Sequence, residues 1–258
     1  MSKAISPELK VALEVFARQE TILIALDFDG TLAPLVDDPE ASRMITPARK
    51  ALEQLTTMPG VTIALVTGRA IDSVKRVAEP LNDWFLVGSH GIEVLSPGEV
   101  TDYETRRLVP DDLINQFEAV VAAHPGTRLE HKPFGLALHT RGVAEQVVRE
   151  AESAAHQVCD VWSGNLLVRV GHGIVECSIK RASKGDGIEE VRRRLNPRAV
   201  FFAGDDQTDE DGFGILKRGD IGIKVGQSKT LADFSVRNPH ELATILDLIR
   251  SSRCVRNP

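Results

Sequence analysis

The chain has 258 residues, enough for one large domain or two modest ones, and its 42% hydrophobic and 26% charged content is ordinary for a globular protein. A net charge of −6 without a long run of one sign argues against nucleic acid as the main partner. No apolar stretch nears the ~18 residues of a membrane span, and MSKAISPELK carries no signal-peptide apolar region, so no membrane partner and a cytoplasmic location are expected. Cys159, Cys177 and Cys254 have no metal-ligand spacing and read as buried or incidental thiols.

Leu9, Leu13 and Phe16 make a short helical stripe. Ile22 to Leu26 is an unbroken apolar run with β-branched residues, predicted as a buried central strand, and Asp27, Asp29 and Gly30 follow at its end. Ala33 to Arg43 reads as loop. Thr46-Pro47 predicts an N-cap followed by proline at the first helical position, with Ala48, Ala51, Leu52 and Leu55 on one face. Val61 to Val66 is a second strand ending in Thr67-Gly68-Arg69. A helix from Ile71 to Val77 follows, then a third strand, Trp84 to Val87, ending in Gly88-Ser89-His90-Gly91. Strand, helix, strand, helix, strand is the pattern of a parallel sheet flanked by helices.

The pattern changes near Leu108. A helix opens at Pro110-Asp111-Asp112 with Leu113, Phe117, Val120 and Val121 on its apolar side. Phe134, Leu136 and Leu138 alternate with Gly135, Ala137 and His139, which predicts one packed and one open strand face. Val143 to Val158 is a second helix, and Asn165–Val170 and Ile174–Ile179 are strands joined by Gly171-His172-Gly173. Two helices on an antiparallel sheet form an α+β unit, read as an insertion over 108–180 in a parallel-sheet core of 1–107 and 181–258. The parallel pattern resumes with a helix after Lys184-Gly185. A strand from Ala199 to Ala203 runs into Gly204-Asp205-Asp206, a strand follows over Ile221–Val225, and a last helix carries Leu242, Ile245, Leu246 and Ile249.

Chemistry in a parallel sheet gathers beyond the carboxyl ends of its strands. Alone, Asp27-Phe28-Asp29-Gly30 is equally a solvated turn, and the five acids within the seven residues Asp205 to Asp211 are equally a solvated loop. Together, carboxylates from two strand ends repel unless a cation separates them. An all-oxygen set suits Mg²⁺, whereas Zn²⁺ would call for Cys or His. Thr67 and the backbone at Gly68 stand before a helix, where either a phosphate contact or a plain N-cap fits. Lys184, at another helix start, could supply the fixed positive charge that phosphoryl transfer needs.

The ordered set DFDGTL, TGR, Lys184 and GDDQTDE resembles the haloacid dehalogenase superfamily, specifically its aspartate-based phosphatases. The resemblance implies an α/β fold: a Rossmann-like parallel-sheet core with an inserted α+β, C2-type cap. It implies Asp27 as nucleophile, Asp29 as general acid and base, Thr67, Gly68 and Lys184 on the phosphate, and Mg²⁺ at Asp27, Asp29, Asp205, Asp206 and Asp209. Gly88-Ser89-His90-Gly91 with Glu93, Glu130-His131-Lys132-Pro133, His139-Thr140-Arg141 and Glu176 further resemble trehalose-6-phosphate phosphatases. That likeness implies a sugar phosphate substrate held by His90, Glu130, Lys132, Arg141 and Glu176, and a functional link to trehalose-6-phosphate synthase. Cys177-Ser178-Ile179-Lys180 departs from the pattern, since relatives often carry a basic residue and proline there. Sucrose-phosphate and mannosyl-3-phosphoglycerate phosphatases, a phosphomutase and a catalytically silent sugar-phosphate sensor share parts of it.

Overall fold

A computed structural model describes residues 5–99, 108–162, 166–171 and 173–254. In chain order the elements are α1 (Pro7–Ala17), β1 (Ile22–Leu26), α2 (Thr46–Thr56), β2 (Val61–Val66), α3 (Ile71–Ala78), β3 (Phe85–Gly88) and β4 (Glu93–Leu95). Then follow α4 (Asp111–Ala123), β5 (Arg128–Lys132), β6 (Gly135–His139), α5 (Glu145–Val161), β7 (Leu167–Gly171) and β8 (Ile174–Ser178). The chain closes with α6 (Lys184–Leu195), β9 (Ala199–Gly204), α7 (Glu210–Gly214), β10 (Ile221–Val225), β11 (Phe234–Val236) and α8 (Pro239–Cys254). The described residues form two compact units, one of 5–99 with 182–254 and one of those between 108 and 181.

The first unit is a seven-stranded sheet in the order β11-β10-β9-β1-β2-β3-β4, parallel except for the β3–β4 pair. β1 lies at the centre, and all five of its residues are buried because both sheet faces are covered. Strand alternation sends Leu23 and Ala25 towards α6 and α7, where they join Val200, Phe202, Ile188, Val191 and Phe213. On the opposite face Phe201 meets Phe16 of α1 with ring centroids 6.0 Å apart. Arg253, near the end of α8, is buried and donates to four backbone carbonyls, those of Ala17 (2.9 Å), Gln19 (2.8 Å), Glu20 (3.0 Å) and Pro59 (2.6 Å). It thereby joins the turns that lead into β1 and β2.

The second unit is a four-stranded antiparallel sheet, β5-β6-β8-β7. Leu129, Leu136, Leu138, Val175 and Cys177 face α4 and α5 and form its core with Phe117, Ala151 and Ala155. The other sheet face carries Glu130, Lys132, His139, Arg169 and Glu176, as the register requires.

Several local expectations are corrected. Thr46 is the first residue of α2 and not its N-cap; Ile45 takes that place, its carbonyl accepting from Arg49 N–H, and Pro47 falls at the second position. Pro39–Ala41, inside the expected loop, is a 3-10 turn. α5 begins at Glu145, later than expected, because the chain turns through Gly142 at φ +80° first. β6 does not present an open face: Gly135 and Ala137 are buried too, Ala137 lying between the longer Glu130 and Glu176 of its neighbouring strands. β4 and β11, three residues each, are too short to show a period. Asn165 and His172, expected in a strand and a turn, lie outside the described residues.

Candidate active site

Asp27 follows β1 directly and continues the ladder, its N–H donating to Ala203 carbonyl at 2.9 Å. Asp27 is 3% exposed. Oδ1 accepts from Lys184 Nζ at 2.8 Å, whereas Oδ2 is buried with no hydrogen-bond partner. Lys184 is the first residue of α6, a helix fixed by a capping box between Ser183 and Asp186, so its backbone is set before its side chain reaches inward. It is 2% exposed and also donates to Asp209 Oδ1 at 2.8 Å.

Asp209 is fully buried and holds its own loop, Oδ2 accepting from the N–H groups of Asp205 and Asp206 at 2.9 Å each. Asp206 turns back on the same loop, Oδ1 accepting from Thr208 N–H and hydroxyl and from Asp209 N–H. Asp205 is left pointing towards Asp27. Gly30 makes this approach possible: at φ +84° a Cβ there would overlap the Asp205 carboxylate. One oxygen each of Asp27, Asp205 and Asp209 lie within 4.8 Å of one another.

Charge is poorly balanced in this cluster. Burial, with Asp205 and Asp206 nearby, pushes Asp27 up to about 7 despite Lys184. Burial, with Asp209 and Asp206, pushes Asp205 up to about 7 despite Lys184 and Lys224. Burial also raises Asp209. Burial disfavours the charge on Lys184, yet Asp27, Asp209 and Asp206 together hold it well above the usual lysine range. A buried all-carboxylate set with one bare oxygen and a deficit of positive charge fits a hard divalent cation such as Mg²⁺. Asp27, Asp205 and Asp209 would hold it.

Asp29 stands outside that group of three. Arg69 donates to both its oxygens, at 2.6 Å to Oδ2 and 2.8 Å to Oδ1, and Ser42 hydroxyl donates at 2.9 Å. Arg69 also lies over the Phe28 ring at 5.9 Å and donates to Pro39 carbonyl. Thr67 is buried after β2, its hydroxyl accepting from Arg69 N–H at 3.1 Å. His90, at φ 55°, donates its N–H to Thr67 carbonyl, and its ring lies against Gly68, where a Cβ would come within 2.6 Å. Glu93 ties these two loops, accepting from Ile71 N–H and Ser89 hydroxyl at 3.0 Å each.

In the second unit Lys132 Nζ meets Glu176 Oε2 at 2.5 Å, both side chains buried. Glu130 Oε2 meets His139 Nε2 at 2.8 Å. Burial would raise Glu130, but the His139 hydrogen bond, with Lys132 and Arg128, holds it down to about 2. Arg141 is exposed in the turn after β6, its backbone beside Gly173. Reading by sequence missed the Arg69–Asp29 pair, Ser42, and the buried Lys224 behind the acidic loop. The available signal for Arg69 was its place at a strand end beside Thr67 and Gly68.

Residues 25–240 match the family described as Trehalose-phosphatase. A probable trehalose-phosphate phosphatase E of Arabidopsis thaliana is 30% identical over 90% of this chain and 72% of that protein. Two Mycobacterium tuberculosis proteins described as uncharacterized glycosyl hydrolases are 29% identical over 91% of this chain, which spans only 19% of their length. Among solved structures, the C-terminal domain of Candida albicans trehalose-6-phosphate phosphatase superposes with a TM-score of 0.78 at 21% identity, covering 97% of this chain and 99% of that one. A haloacid dehalogenase-like hydrolase from B. subtilis superposes at 0.55 and 17% identity over 88% and 98%. The fold is therefore the haloacid dehalogenase α/β fold.

Proposed function

The chain belongs to the trehalose-phosphatase family, and on that premise we propose that it hydrolyses trehalose 6-phosphate to trehalose and phosphate, with Mg²⁺ as cofactor. The observation that carries the reading is Asp27 Oδ2, a buried carboxylate oxygen without a hydrogen bond, beside Lys184, Asp205 and Asp209.

In the first step Asp27 Oδ2 attacks phosphorus. The bond from phosphorus to the sugar oxygen breaks, its electron pair stays on that oxygen, and Asp29 supplies the proton. In the second, a water gives a proton to Asp29 and attacks the aspartyl phosphate, and cleavage of its P–O bond returns the Asp27 carboxylate. Lys184, Thr67 and Gly68 hold the phosphate oxygens. When bound, Mg²⁺ would offset the repulsion between a carboxylate and a dianionic phosphate. Asp29 has to give up part of its contact with Arg69 or Ser42 to exchange a proton with substrate.

Glu130, Lys132 and Glu176, on one sheet face of the second unit, and His90 and Arg141 are proposed to select the sugar. Charged groups make strong, directional hydrogen bonds to hydroxyls, and a site built for them rejects analogues that lack them. The test is phosphate release from trehalose 6-phosphate against sucrose 6-phosphate, mannosyl-3-phosphoglycerate and glucose 6-phosphate, with and without Mg²⁺. Faster release from another substrate would replace the assignment. Release that does not depend on a divalent cation would remove the metal from it.

A further inference from the structure

Lys224 lies in β10 opposite Gly204, the last residue of β9, and its side chain points to the acidic loop that follows β9. It is 2% exposed, an unusual place for a lysine. Nζ donates to Asp206 carbonyl at 2.9 Å and to Glu210 Oε1 at 3.3 Å. Glu210 is itself fixed, its Oε2 accepting from Leu231 N–H at 2.7 Å and Thr230 hydroxyl at 3.2 Å. The loop from Asp205 to Asp209 is wound on itself through the carboxylates of Asp206 and Asp209, and from the turn after β1 the Thr31 hydroxyl reaches it only by a long bond to Asp205 Oδ1, at 3.5 Å. Such a turn can hold its own shape and still shift as a body against the strand that carries Asp27. Lys184 ties it from the Asp27 side, through Asp209, and Lys224 ties it from the sheet behind.

We infer that Lys224 is a positioning residue: by holding the Asp206 carbonyl and Glu210 it sets the acidic loop where oxygens of Asp205 and Asp209 come within 4.8 Å of a carboxylate oxygen of Asp27, and so fixes the affinity for the divalent cation. This rests on the cation reading given above. Its consequence runs against simple electrostatics. Removing a positive charge beside carboxylates should strengthen cation binding, whereas removing a support should weaken it. Outer groups that orient metal ligands typically contribute 10–100-fold in affinity.

The experiment is Mg²⁺-dependent melting without substrate at about pH 8.5, where ordinary carboxylates are ionised, on the parent, Lys224→Met, Lys224→Arg and Glu210→Gln. Lys224→Met should bind Mg²⁺ at least about tenfold more weakly, and Lys224→Arg should recover part of the loss. Binding by Lys224→Met as tight as the parent's, or tighter, overturns the inference, and so does a lower melting temperature with unchanged affinity. If Lys224→Met does not fold, Glu210→Gln decides: a several-fold weakening supports the assignment and unchanged affinity overturns it. A parent without any Mg²⁺ response would sink the cation reading as well. A parent that binds Mg²⁺ but releases no phosphate would sink only the proposed activity.

Discussion

Asp27 and Asp29 are two residues apart and meet different surroundings. Asp27 is buried against Lys184 with one oxygen bare, and Asp29 is clasped by Arg69 and Ser42. A nucleophile needs a free lone pair, whereas a proton carrier needs an orientation that can be released. Asp29→Asn is therefore expected to lower turnover about 10²–10⁴-fold and to leave the Mg²⁺-dependent rise in melting temperature intact; kinetics and melting on one preparation check both. Equal turnover in variant and parent would remove Asp29 from the mechanism. Arg69→Ala should lower kcat by a larger factor than it changes KM, because the Arg69 guanidinium holds both oxygens of Asp29. The meeting of Asp27 and Asp205 was legible because strand ends in a parallel sheet converge, whereas Lys184, at a helix start, was singled out by the charge that phosphoryl transfer needs and by the resemblance of the ordered motifs. The grip of Arg69 on Asp29 was not legible, since nothing in Thr67-Gly68-Arg69 says which neighbour a long side chain reaches. Lys224 was equally hidden: in Ile221–Val225 it looks like the polar half of an alternation, yet it is buried.

The turn after β1 and the sheet of the second unit show how elements limit substitution. Gly30 sits at φ +84° with the Asp205 carboxylate where a side chain would go. Gly30→Ala should lose about 1–2 kcal/mol from backbone strain and also displace Asp205. The Mg²⁺-dependent stabilisation should then fall further than the stability of the metal-free protein, as denaturant titrations with and without Mg²⁺ would show. In the second unit, Lys132→Met removes the cation 2.5 Å from buried Glu176, expected to cost up to about 3–5 kcal/mol. Replacing both Lys132 and Glu176 by apolar residues should restore most of that stability without restoring turnover of a disaccharide phosphate. Recovery of turnover in the double variant would exclude the pair from substrate selection. The strands with a clear hydrophobic run were readable from sequence. β4 and β11 were not, because three residues carry no period, and the burial of Ala137 was not, because it depends on Glu130 and Glu176 in strands paired across the sheet.

Over the whole molecule, the buried carboxylates couple stability to pH. Asp27 and Asp205 are raised from the ordinary 3.8 to about 7 in the folded protein. Between those values the folded state holds protons that the unfolded chain has released. These two groups therefore make the metal-free protein more stable as pH falls from about 7 towards 4, and less stable as it rises. Mg²⁺ competes with those protons, so its stabilising effect should be large near pH 8 and small near pH 5.5. Melting curves at both values check the sign, and an equal effect at both would contradict it. The α/β class of the larger unit was readable because apolar strand runs alternate with amphipathic helices. Arg253 was unreadable in that way, one arginine among the basic residues near the end of the chain, yet its guanidinium joins two turns far apart in sequence. For anyone shortening the gene or fusing a tag, this sets a boundary: an expression product that stops before Arg253 would lack the guanidinium that joins these four carbonyls and should melt at a lower temperature, whereas a fusion placed beyond position 254 leaves that knot tied.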